Sequence, residues 1–214
     1  MKQPQPFKNI PSECKMPDLS DLKPLLGIMI IQALFGDKLG LSHKTQLYLK
    51  NFIRLIDKAL SAHKESRQCI LDTIAERKRP TEEMAKEGRI IYMLAFPNHM
   101  ETCINAVARS YKLLDRIKSD KQKEESPMFP RELKRLAKTQ FESVTNIRNA
   151  VEHIDKLILK DEIAPGQPIM LALNRNHDGV MISDYEIKFE ELAMVLRRMH
   201  EIAQYILKVK PQKS

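Results

Sequence analysis

From His43 to Arg77 the apolar residues Tyr48, Phe52, Leu55, Ile56, Ala59 and Leu60 recur three and four positions apart. That repeat stacks side chains along one side of an α-helix, whereas a strand would need alternation. Ser42 stands immediately before the stripe, where its hydroxyl would accept one of the free N–H groups of the first turn. A helix of this size is roughly 50 Å long and cannot leave such a stripe in water, so the rest of the chain has to cover it with elements of similar length. The chain has only six glycines and no tryptophan, which fits a helical body whose interior is filled by aliphatic residues and its 11 methionines.

The remaining elements follow from the same periodicity. Residues 1–20 carry prolines at positions 4, 6, 11 and 17 and are expected to be extended, because proline denies helix. The apolar run from Leu22 to Gly36 suits either a strand or a helix by pattern; helix is the reading adopted, as a buried element. Its most apolar part, Leu25 to Phe35, is too short to cross a bilayer. Residues 82–96 form a further helical stretch, which Pro97 either kinks or ends, with Asn98 and Glu101 resembling a capping box for the next helix. The stripe then continues through Cys103, Ile104, Val107, Tyr111, Leu114 and Ile117.

A charged segment closed by Pro127 and Pro130 reads as a loop. A helix from Arg131 to about Lys160 follows. Beyond Pro165 and Gly166, Pro168–Leu173 and Val180–Ser183 flank the polar turn Asn174–Gly179, the signature of a β-hairpin at about 168–184. A last helix, Glu190 to Lys208, carries Leu192, Val195, Leu196, Met199, Ile202, Ala203 and Ile206. The expected fold is mainly α, an up-down helical bundle with one small β-hairpin before the C-terminal helix: an extended segment 1–20, then a single domain 21–214.

The 214 residues are 43% hydrophobic and 30% charged, a globular balance. The formal net charge of +8 favours approach to polyanions such as RNA. Cys14, Cys69 and Cys103 are odd in number and widely spaced, with no CxxC pair and no histidine at zinc spacing, so a reduced, cytoplasmic protein without a metal or cofactor is expected. No secretion signal is legible at the N-terminus, and no phosphate-binding glycine loop, HExxH or GxSxG elbow is present.

The chemistry-bearing run is Arg148-Asn149-Ala150-Val151-Glu152-His153. On a continuous helix, with Arg148 at zero, Glu152 falls at about 40°, Asn149 at about 100° and His153 at about 140°, while Ile147, Val151, Ile154 and Ile158 gather at about 240–300°. Phe141, Thr145, Lys156 and Lys160 fall at about 20°, 60°, 80° and 120°. The polar side therefore groups a guanidinium, an imidazole, an aromatic ring and two ammonium groups, as an anion-binding face would.

Arg148, Asn149 and His153, on a late helix of a helical bundle, resemble the Rx4-6H signature of HEPN domains, many of which are metal-independent ribonucleases. The resemblance extends over about residues 42–208. It implies a homodimer in which two motif helices build one cleft, with Arg148 holding the scissile phosphate, Asn149 orienting the phosphate or the imidazole, and His153 as the acid-base group. It further implies a toxin-antitoxin or phage-defence setting, with an antitoxin or other protein partner. A non-catalytic nucleotide- or RNA-binding module and a helical protein-protein scaffold are the alternatives from other functional classes.

Overall fold

The computed structural model describes residues 11–34, 43–77, 79–87, 92–119 and 138–208. In chain order these hold α1 (Leu26–Leu34), α2 (His43–Glu76), α3 (Thr81–Glu87), α4 (Tyr92–Ser119), α5 (Lys138–Glu152), α6 (Ile154–Leu159), β1 (Ala172–Leu173), β2 (Gly179–Ile182), β3 (Tyr185–Lys188) and α7 (Phe189–Lys208). The chain is mainly helical, with a small antiparallel sheet before the last helix. No helix among the described residues is long and apolar enough to cross a membrane.

The helices α2 and α4 form the main pair, and α7 packs on α2; α5 touches α4, α7 and the sheet. Phe52, Ile56 and Ala59 of α2, Met100, Cys103 and Val107 of α4, Val144 and Ile147 of α5, and Leu192, Leu196 and Met199 of α7 are fully buried. The three-four repeat thus does what it predicts, since each helix turns one apolar side inward.

Three expectations need correction. The segment Leu26–Leu34 is a helix, yet Ile28, Ile30 and Ile31 are exposed, so the apolar run is not a buried element. Its start is held from outside: the Leu25 N–H donates to Asp57 Oδ2 at 2.8 Å and the Leu26 N–H to the same oxygen at 2.6 Å, which satisfies two donors that a helix N-terminus leaves free. Of the two outcomes expected at Pro97, a kink or an end, the end is excluded, and no new helix starts at Asn98: α4 already begins at Tyr92 and runs through both residues. As the sixth residue of α4, Pro97 lacks the N–H that would donate to the carbonyl four residues back, and its ring crowds that carbonyl. The expected capping role of Asn98 is therefore absent, and the expected N-cap Ser42 lies outside the described residues.

The expected hairpin is a three-stranded meander, β1-β2-β3. Ala172 pairs with Met181 and Leu173 with Val180; Gly179 to Ile182 pair with Lys188 to Tyr185. The third strand arises because Ser183 and Asp184 make a tight reversal, with Ser183 at a φ of 50°, and Tyr185-Glu186-Ile187-Lys188 then alternates with only Ile187 buried. At Gly179 a Cβ would lie 2.4 Å from the Ile187 carbonyl oxygen, so the close pairing of β2 and β3 requires glycine there.

Residues 11–25 carry no helix and strap the body. Met16, Leu19 and Leu25 are buried in the main core. Arg67 of α2 donates from Nε to the Met16 carbonyl at 3.1 Å, Arg197 of α7 pairs with Asp21 and reaches the Asp18 carbonyl at 3.3 Å, and Lys15 reaches the Asn176 carbonyl at 3.1 Å. His200 Nε2 lies 2.8 Å from the Lys23 carbonyl; that acceptor requires the ring nitrogen to carry the proton.

Candidate functional site

Helix α5 is sorted by its packing. Val144, Ile147 and Ala150 are buried, Val151 is half-buried, and Asn149, Glu152 and His153 are exposed. The Arg148 side chain retains 23% exposure and that of Glu152 37%. Arg148 donates from Nη2 to Glu152 Oε1 and from Nη1 to Asn149 Oδ1 at 3.2 Å. Two neighbours on its own helix thus hold the guanidinium, which keeps further N–H donors of its five for a ligand.

His153 does not continue the helix. Its φ and ψ are −125° and 20°, it makes no side-chain cap, and it separates α5 from α6. The backbone is satisfied across the break: the His153 N–H is shared between the Asn149 and Ala150 carbonyls at 3.0 and 3.4 Å, and the His153 carbonyl accepts from Lys156 and Leu157 at 3.0 and 3.2 Å. The imidazole is exposed and has no hydrogen bond or ion pair with another described side chain. The side chains of Arg148 and Asn149 are therefore in contact, and the His153 imidazole makes no hydrogen bond to either, although its backbone N–H donates to the Asn149 carbonyl.

The break corrects the expectation of one helix from Arg131 to Lys160, whose residues 131–137 lie outside the described set. Ile154 and Leu157 are half-buried, but Ile158 and Leu159 are 49% and 83% exposed, so Ile158 is not on the core stripe. The placement of Lys156 and Lys160 beside Arg148 assumed unbroken pitch and does not carry over; Lys160 lies 3.7 Å from Glu162. Neither proline nor glycine occupies position 153, so no backbone signal in the sequence marks the interruption.

Two turns before Arg148, Phe141 stacks on Tyr111 of α4, ring centroids 3.4 Å apart and planes 16° from parallel. Tyr111 packs against the main core, whereas Phe141 does not belong to it. Burial, with a smaller contribution from Asp115, raises the Tyr111 phenol above its ordinary pKa, so the ring stays neutral. Between Phe141 and Arg148, the Thr145 hydroxyl is buried with no hydrogen-bond partner. The buried hydroxyls of Ser66, Thr73 and Ser110 instead return to the carbonyl four residues back, at 2.9, 2.7 and 2.7 Å.

Two histidines, His63 of α2 and His200 of α7, are buried. His63 Nε2 has no partner, and desolvation depresses the imidazole to about 4. It borders a groove of about 510 Å³ between the strap and α2, lined also by Lys23, Asp57, Lys64 and Arg67. Cys103 is fully buried, its thiol pushed up to about 12, which makes it inert as a nucleophile. Among the described residues no group of three or more His, Cys, Asp or Glu side chains is arranged to hold a metal. Compared with protein-family models, curated proteins and solved structures, the chain matches none of them.

Proposed function

We propose that this chain is a metal-independent endoribonuclease of the HEPN type, whose active site is assembled from two copies. The observation that carries this reading is the half-buried Arg148 of α5, hydrogen-bonded to Asn149 at 3.2 Å, followed directly after the last residue of the helix by His153, whose exposed imidazole makes no hydrogen bond to a described side chain. The net charge of +8 would draw RNA to the protein.

Cleavage of RNA through its 2′-hydroxyl requires a base, an acid and a cation. One His153 takes the 2′-hydroxyl proton, the 2′-oxygen bonds to phosphorus, and the bond from phosphorus to the 5′-oxygen breaks. The second copy's His153 protonates that leaving oxygen, which leaves a 2′,3′-cyclic phosphate. Arg148 holds the phosphate with the donors that Glu152 and Asn149 do not use, and Asn149 orients the guanidinium. One chain supplies a single imidazole to the face, and the second copy completes the set.

The test is cleavage of labelled RNA by purified protein in chelator-treated buffer. His153→Ala and Arg148→Ala should each lower the rate at least about 100-fold, with melting temperatures unchanged. Equal cleavage by all three proteins would end the catalytic claim. A second reading, binding of RNA without cleavage, is favoured by one observation: the His153 imidazole makes no hydrogen bond to Arg148 or to any other described side chain. Affinity lost in Arg148→Ala and retained in His153→Ala, with no cleavage by the wild type, identifies that case.

A further inference from the structure

The polar face of α5 does not end at Arg148. Phe141 lies seven residues earlier, about two turns and roughly 10 Å along the axis, and only about 20° away in rotation. Its ring is outside the main core and half-buried, with one face laid on Tyr111 at 3.4 Å. Tyr111 itself packs against the core, so the stacked pair is a platform seated on the body of the protein. An isolated aromatic contact of this kind is ordinary packing; its alignment with a guanidinium on the same helix face is what makes it informative.

We propose that the Tyr111–Phe141 pair is a base-binding subsite, which takes an unpaired nucleobase of a single-stranded RNA whose backbone phosphate lies at Arg148. Aromatic platforms beside a cationic group hold single strands in this way, and they tolerate any base because every base has a π-face. The separation of Phe141 from Arg148 suits the base of an adjoining nucleotide rather than one attached to the bound phosphate. Duplex RNA is excluded from such a subsite because its bases are already stacked and paired. Thr145 lies one turn from each of Phe141 and Arg148 on the same side of α5, and its hydroxyl is buried without a hydrogen-bond partner.

The inference rests on reading this face as an RNA-binding face, and not on cleavage. The probe is a fluorescent, uncleavable 2′-O-methyl oligoribonucleotide, compared with the same oligonucleotide carrying abasic positions, titrated into the full chain. The wild type should bind the base-bearing strand roughly tenfold more tightly than the abasic one. Phe141→Leu, which keeps apolar volume, should remove most of that ratio while leaving affinity for the abasic strand unchanged; Phe141→Tyr should restore it. Arg148→Ala should weaken both strands alike.

A ratio that is the same in the wild type and in Phe141→Leu overturns the subsite, as does a wild type that binds neither strand or both equally. Base-dependent binding lost in Phe141→Leu, in a protein that cuts no RNA, would sink the ribonuclease and leave the subsite standing. Cleavage with a base ratio indifferent to position 141 would do the reverse.

Discussion

Glu152 sits one turn beyond Arg148 on α5 and accepts a hydrogen bond from its guanidinium, so the residue placed to recognise a phosphate carries a carboxylate as its resident partner. With side-chain exposures of 23% and 37%, the pair is solvent-screened and worth at most about 1 kcal/mol. Its effect on a ligand is competition. Glu152→Gln should tighten binding of single-stranded RNA about two- to fivefold and leave the melting temperature within about 2 °C of the wild type. Fluorescence anisotropy at fixed salt checks this; weaker binding by the Gln variant contradicts the role given to Arg148.

His63 should make stability depend on pH. Its folded pKa is depressed from 6.5 to about 4 by burial, so between those values the unfolded chain binds the proton that the folded chain refuses. Stability is complete above about pH 6.5, declines as pH falls towards 4, and has then lost on the order of 3 kcal/mol. Urea titrations of the wild type and His63→Leu at pH 7 and 4.5 isolate the effect: the Leu variant should lose distinctly less on acidification. Parallel losses would show that His63 does not govern the slope.

The strap is held mainly by buried apolar surface. Met16→Ala should cost about 2–4 kcal/mol, because Met16 is 1% exposed and its removal leaves a cavity. Arg197→Ala removes the pairing with Asp21 and the 3.3 Å bond to the Asp18 carbonyl, yet its partners are in water, so the loss should stay below about 1 kcal/mol. Chemical denaturation of both variants decides the matter, and an arginine effect equal to the methionine effect would reverse the ranking.

Two glycines should respond oppositely to alanine. At Gly179 the new Cβ meets the Ile187 carbonyl oxygen at 2.4 Å, and the strands have to part, at a cost of about 2 kcal/mol or more. At Gly27, inside α1, nothing lies within 4 Å, and alanine should stabilise by up to about 1 kcal/mol through helix propensity. Thermal unfolding of the two variants should move in opposite directions; a destabilised Gly27→Ala would show that α1 needs the glycine for another reason.

Helical periodicity made α2 and α7 legible almost to the residue, because each buries a single stripe and 3.6-residue pitch leaves no other way to gather it. The third strand was harder to see, since four residues after a two-residue reversal and directly before a helix read as the approach to that helix. The buried histidines were missed for a different reason: burial of a polar ring depends on neighbours from other elements, and no local pattern announces it.

What the chain itself determined is the class of fold, the inward faces of its long helices, and the grouping of Arg148, Asn149 and Glu152, all consequences of spacing along one backbone. Tertiary packing decided the rest. It exposed Ile28, Ile30 and Ile31 despite their hydrophobicity, laid Phe141 on Tyr111 from a distant helix, and left Ile158 and Leu159 uncovered past the break at His153. Whether an apolar side is buried depends on which surface arrives opposite it, and that is fixed by contacts between segments far apart in the chain.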